Sequence, residues 1–218
     1  MTERLPQPVA ANVKGTALED DDILELPAGT ELTRIHPLGG DHPVVWNAFR
    51  GWGPTQSRFD HQPPPRGVHK TRRIAYATFG PTAFPAALAE YFQDDGGGVR
   101  PIDTTRDRPA VTRLEIVRPL VLLNLDRGWV TRAKGNQAIR TGHRSMSREW
   151  ARAIYRHHPT LDGLAYSSSV WGPGTCVALW ERAEDAFPAT PAAHRTLDDP
   201  VLAVPIANAA RSLRTIIV

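Results

Sequence analysis

The chain of 218 residues has one cysteine, Cys176. A single thiol excludes a disulfide framework within the chain and argues against a zinc site built on cysteines. Cys176 stands in the apolar run GTCVALW, so it reads as a buried core thiol. No apolar run approaches the ~20 residues a membrane helix needs. The N-terminus MTERLPQPVAAN lacks a basic-then-apolar signal pattern, and the expectation is a soluble cytoplasmic protein with no membrane partner. A basic tract is also missing. The formal charge is only +3, and the arginines, though far commoner than lysines, are scattered, which argues against direct nucleic-acid binding. Several motifs are absent as well. Gly96-Gly97-Gly98 is not placed between a strand and a helix as a dinucleotide fingerprint would be, and no Lys-Ser/Thr follows it as in a P-loop. SSSVWG does not fit the nucleophile elbow of hydrolases. There is no H-E-x-x-H or His/Asp cluster, so no metal is expected. Adjacent His157 and His158 would point about 100 degrees apart on a helix and read as a polar helix end favourable to the C-terminal dipole.

What is present suits one globular domain. Apolar residues make up 41%, enough for a sizeable core, while 20 prolines and 17 glycines imply long loops around it. Residues 1–29 read as an irregular or helical segment, with a short helix over Ala17–Glu25 and a turn at Pro27-Ala28-Gly29. Residues 30–218 read as the domain proper.

Alternation predicts a strand over Glu31–His36, with Leu32 and Arg34 on one face. An arginine facing inward needs an anion or a ring of acceptors, whereas an edge arginine reaches solvent along its stem. The Gly/Pro/Trp-rich stretch to Gly53 reads as a loop whose Trp46, Phe49 and Trp52 pack over the core or stack on a flat ligand. Ser57–Asp60 resembles a short strand end, and HQPPPRG an extended loop, since three prolines remove ladder donors. The centre of the chain is Ile74–Gln93: a strand to Phe79, then a helix opened by Pro81 and Thr82. Glu90 stands late in that helix among Ala87, Leu88, Ala89, Tyr91 and Phe92. It is either a solvated face position or an active-site carboxylate.

Further strands are predicted over Val111–Val117, Leu120–Leu125, Leu164–Ser168, Thr175–Glu181 and Arg214–Val218. A helix is predicted to begin at Trp129–Ala133. A second, capped by Ser145 or Ser147, runs through His158, and a last one opens at Asp198 or Asp199 with Pro200.

Four blocks occur in order: Leu32-Thr33-Arg34-Ile35; Ser57-Arg58-Phe59-Asp60; Tyr76 through Thr82-Ala83 to Ala89-Glu90-Tyr91-Phe92; and Asp162-Gly163-x-x-Tyr166-x-Ser168 followed by Cys176–Leu179. Together they resemble the RES domain, a family named for its Arg, Glu and Ser. The resemblance spans roughly residues 30–182. It departs from the usual pattern at Ser57, where the family carries glycine, in the long Arg58–Tyr76 gap, and in extra residues between Thr82 and Glu90.

The resemblance implies an α+β single domain similar to the ADP-ribosyltransferase core, with split mixed or antiparallel sheets around a cleft and flanking helices. It implies an enzyme that consumes NAD as a substrate, by hydrolysis or phosphorolysis of the nicotinamide–ribose bond or by transfer of ADP-ribose. It further implies the toxin half of a bacterial toxin–antitoxin pair whose partner is an Xre-type antitoxin; homo-oligomerisation stays open. Arg34, Glu90 and Ser168 are the expected catalytic residues, and Arg34, Arg58 and Tyr76 the expected NAD-binding ones. Arg34 and Arg58 suit the pyrophosphate, since a guanidinium binds it bidentately. Tyr76 suits the nicotinamide ring or ribose, and Ser168 suits positioning more than attack. The alternative is an inactive NAD-binding, ADP-ribose-binding or protein-interaction module. An RNA phosphotransferase-like reading on a related fold is disfavoured by the scattered charge.

Overall fold

The computed structural model describes residues 4–94 and 97–218. It contains one nine-stranded sheet of mixed sense. The strands are β1 (Ile23–Leu26), β2 (Glu31–Pro37), β3 (Arg50–Gly53), β4 (Val68–Phe79), β5 (Pro109–Glu115), β6 (Leu120–Asn124), β7 (Gly163–Ser167), β8 (Thr175–Trp180) and β9 (Ala193–Thr196). Their order is β1-β6-β7-β8-β4-β2-β5-β9, with β3 on β4. Among the described strands only the β6–β7 pair runs parallel. The helices are α1 (Ala10–Gly15), α2 (Ala83–Tyr91), α3 (Trp129–Arg132), α4 (Ala138–Thr141), α5 (Arg144–His157) and α6 (Ala203–Leu213).

The expected split is present in a particular form. β4 and β8 pair over six residues and β2 and β5 over seven, but β2 and β4 meet only at Leu32–Phe79 and Thr33–Thr78. Two halves are thus joined by a two-residue seam. One buried cluster brings together Leu32 and Leu114 from one half with Leu120, Leu122, Val177 and Leu179 from the other. The sheet therefore curls, and its inner faces pack on each other. The outer face of one half carries α3, α4 and α5 through Trp129, Ile139, Trp150 and Ile154. The other carries α2 and α6 through Leu88, Phe92, Ile206 and Ala209 against Val111. β4 shows the period of two that this layering requires: Ile74 and Tyr76 join the α5 side, Ala75 and Ala77 the inner face.

Several local expectations are corrected. Ala17–Glu25 is not a helix: α1 lies earlier, Asp20–Asp22 form one 3-10 turn and β1 follows. Three consecutive aspartates suit a capping turn better than a helix interior. Ser57–Asp60 is a turn, because Phe59 takes φ 64°, in the left-handed region that breaks an extended strand. Neither Ser145 nor Ser147 caps α5. His143 is the N-cap, and the Ser147 hydroxyl instead donates to Ile139 O at 2.7 Å. Arg214–Val218 holds only a bridge from Ile217 to Ile102, after a left-handed Arg214. His158 is no charged helix end: it is buried, its Nε2 donates to Val13 O at 3.0 Å, and burial lowers its pKa. In the glycine run, Gly97 and Gly98 form a bend, while Gly96 lies outside the described residues.

Residues before β2 are woven into the main core. Leu5 and Val13 are buried there, and the indole N–H groups of Trp150 and Trp129 donate to Pro6 O and Thr16 O. Among the described residues no helix is long and apolar enough to cross a membrane.

Candidate active site

A cavity of about 210 Å³ opens where β2 and β4 part. Its walls come from Thr33, Arg34 and Ile35 on β2, Tyr76, Ala77 and Thr78 on β4, Tyr166 on β7, Cys176 on β8, and Ala87, Glu90 and Tyr91 on α2. Ser57, Arg58, Gln93 and Ser169 close the set. Glu90 is the only carboxylate among these lining residues.

Helix α2 is what aims Glu90. Gly80 takes φ 85° and turns the chain off β4. Pro85 falls in the first helical turn, where no N–H is needed. Ala86, Ala87 and Ala89 are buried beside Leu88, and the small alanine side chains let the helix lie low on the sheet. The approach is close enough that a Cβ on Gly174 would stand 2.5 Å from the Ala86 Cβ. One turn beyond Ala86, Glu90 accepts a hydrogen bond of 2.5 Å from the Ser168 hydroxyl. That hydroxyl in turn accepts from the N–H groups of Val170 and Trp171, at 3.1 and 3.0 Å. Ser168 is buried and fully engaged, so it orients the carboxylate. Glu90 is a cavity residue and not a solvated face position.

Arg34 is only 8% exposed and has no carboxylate partner among the described residues. Its Nη1 donates to Trp46 O and Ala48 O, at 2.9 and 3.1 Å, while Nε is buried with no partner. Burial pushes its pKa down to about 10, which leaves the guanidinium charged at neutral pH. The loop carrying Trp46 and Ala48 is itself tethered. His36 Nδ1 donates to Val44 O at 3.0 Å, its Nε2 accepts from the Thr112 hydroxyl at 3.0 Å, and that oxygen accepts from His194 Nδ1 at 2.8 Å. Burial, then the charge of Arg34, holds His36 neutral with a pKa of about 4.

Arg58 reaches the cavity from the turn set by Phe59, whose ring packs on Tyr166 with centroids 4.6 Å apart. Arg58 Nη1 donates to Gly142 O and Ser147 Oγ, at 2.8 and 3.1 Å, and the Tyr76 hydroxyl donates to Arg58 O at 3.0 Å. Burial raises the pKa of Tyr76, Tyr166 and Cys176, and the nearby Glu90 carboxylate adds to the last two. All three stay protonated at neutral pH.

Four of the five expected residues line the cavity, and Ser168 stands behind Glu90. Sequence reasoning missed Thr33, Tyr166 and Gln93, and placed Cys176 only in the core. Tyr166 had a signal, since it shares the period-two face of Ser168. Gln93 follows Glu90 by three residues, so it shares the Glu90 side of the chain at the end of α2. Among the described residues no group of three or more His, Cys, Asp or Glu could hold a metal ion.

The RES domain family model matches residues 31–200, which include Ser168 and every residue that lines the cavity. The chain belongs to the RES domain family. Among solved structures it is similar to a chain of the crystal structure of the M. tuberculosis MbcT–MbcA toxin–antitoxin complex. The identity is 10%, the TM-score is 0.52, and the match covers 94% of this chain and 97% of that one. No curated protein matches the sequence.

Proposed function

We propose that this RES domain is an NAD-consuming enzyme that breaks the nicotinamide–ribose bond and acts as the toxin of a bacterial toxin–antitoxin pair. The observation that carries the reading is a braced carboxylate, Glu90, in a cavity that also holds two arginines with no carboxylate partner among the described residues. Glycosidic cleavage passes through an oxocarbenium-like state, whose positive charge a fixed carboxylate stabilises. Nicotinamide in NAD is already cationic. When the C–N bond breaks, its electron pair goes to the ring nitrogen and neutral nicotinamide leaves, so no second carboxylic acid is needed. The ribosyl cation is then captured by water, phosphate or a protein nucleophile. Arg34 and Arg58 suit the phosphates, and Tyr76 and Tyr166 suit the ribose or the nicotinamide ring. The partner in this reading is an Xre-type antitoxin, and the setting is the cytoplasm, where NAD is available.

The test is NAD loss by the purified protein, with and without phosphate, followed by product separation. Nicotinamide release is expected, and Glu90→Gln should lower kcat by about 100-fold or more, the scale of a lost electrostatic stabiliser. Folded protein that binds NAD or ADP-ribose without consuming NAD would instead mark a binding module.

A further inference from the structure

The face of α5 toward the segment from Pro54 to Gly67 carries Arg144, Arg148 and Arg152, four residues apart and so in one row. Two rungs are taken up by that segment. Arg148 donates to Gln56 O at 3.3 Å and Arg152 to Gln62 O at 3.2 Å. The first rung differs. Arg144 Nη2 donates at 2.5 Å to the side-chain oxygen of Gln93, a cavity residue, and Gln93 is pinned to Glu90 O at 2.8 Å. Arg58 seats on Gly142 O and Ser147 Oγ, which flank Arg144 in the chain, so both arginines are placed at the start of α5. Neither has a carboxylate partner among the described residues. Their mutual repulsion is felt: after burial, the charge of Arg144 is the next cause lowering the Arg58 pKa. Two like charges held together by neutral acceptors form a site that an anion completes.

We propose that Arg144 is a substrate-binding residue, pairing with Arg58 at the cavity rim to hold the diphosphate of the dinucleotide. This rests on the NAD reading and adds a residue outside the four family blocks. Gln93 holds the guanidinium toward the cavity at no cost in charge, so the charge is kept for the ligand. Arg34, on the far strand of the seam, is the separate inner cation.

The experiment measures equilibrium binding of ADP-ribose and steady-state NAD turnover for the wild type, Arg144→Ala, Arg144→Lys and Gln93→Ala. Arg144→Ala should weaken ADP-ribose binding and raise KM for NAD by roughly tenfold, the scale of one charge-assisted hydrogen bond, with kcat within about twofold. The salt dependence of KM should become shallower, and Arg144→Lys should recover part of the loss. ADP-ribose binding by Arg144→Ala equal to wild type would overturn the proposal while wild-type NAD loss keeps the enzyme reading. So would a loss confined to phosphate-dependent kcat, which would assign Arg144 to free phosphate, or a loss in Gln93→Ala that exceeds the loss in Arg144→Ala, which would reduce Arg144 to a support for Gln93. Wild-type protein that neither consumes NAD nor binds ADP-ribose would overturn both readings.

Discussion

Ser168 spends one hydroxyl on three bonds: it gives its proton to Glu90 and receives two backbone N–H groups. Removing it leaves Glu90 free to rotate without removing the carboxylate. Ser168→Ala should therefore lower kcat by about 10- to 100-fold, in line with a misplaced catalytic group, while KM for NAD changes little. Unchanged kcat would show that α2 alone holds Glu90. His36 supplies a second residue-scale expectation. Its folded pKa is about 4, against about 6.5 unfolded. Between those values the unfolded chain binds a proton that the fold refuses, so the stability His36 contributes is complete above about pH 6.5 and is lost as pH falls toward 4. The melting temperature should drop from pH 7 to pH 5, less steeply in His36→Gln. His61 and His158, whose pKa values burial also lowers, keep the remaining slope. At this scale the sequence was informative about residue type and silent about partners. An Arg on an alternating strand declared that it needed acceptors, but Trp46 O and Ala48 O lie 12 and 14 residues away across a loop of no regular pattern.

The segment between β3 and β4 behaves as one element although it has no regular structure. Asp60, fully buried, gathers it by accepting from Arg50, from the N–H and hydroxyl of Thr55, and from Gln62 N, at 2.8 to 3.1 Å. Arg58 rides on this knot two residues away. Asp60→Asn keeps the size but weakens charged hydrogen bonds, and should cost roughly 2 kcal/mol, measured by urea unfolding, with a parallel rise in KM for NAD as Arg58 loosens. The three prolines showed that the stretch would be extended. They could not show that it docks on α5, because the arginine row on that helix reads equally well as a solvated face until its carbonyl partners are in place. Strands with a strong pattern, alternation in β2 and an apolar run in β8, were legible to within a residue. The turn at Phe59 was not, because a left-handed phenylalanine is held by its burial against Tyr166 and not by local propensity.

At the scale of the whole molecule, the N-terminal residues act as a wedge beneath α3 and α5. Pro6, Val13 and Thr16 supply the carbonyls for Trp150, His158 and Trp129, and Val13 is fully buried. Deleting residues 1–16 would orphan three buried donors at about 1–3 kcal/mol each, which should lower the melting temperature by on the order of 10 °C or more. An unchanged melting temperature would show that those donors find water. This docking was hidden because the stretch has no periodic pattern and its contribution is made by backbone carbonyls, which every residue carries. The curl of the sheet was hidden for a related reason: alternation reports which residues face inward, but not that two inward faces will meet each other.

The seam between β2 and β4 and the lone thiol beside it have a practical consequence. Cys176 is the chain's one cysteine, it lines the cavity, and it is held protonated. An alkylating reagent can reach it only while the cleft breathes open, so the labelling rate at high reagent concentration becomes a clock for that opening, with no background from any other thiol. A molecule lodged against Glu90 should stop the clock, and the protein would then report its own occupancy without a dye, a tag or a turnover event.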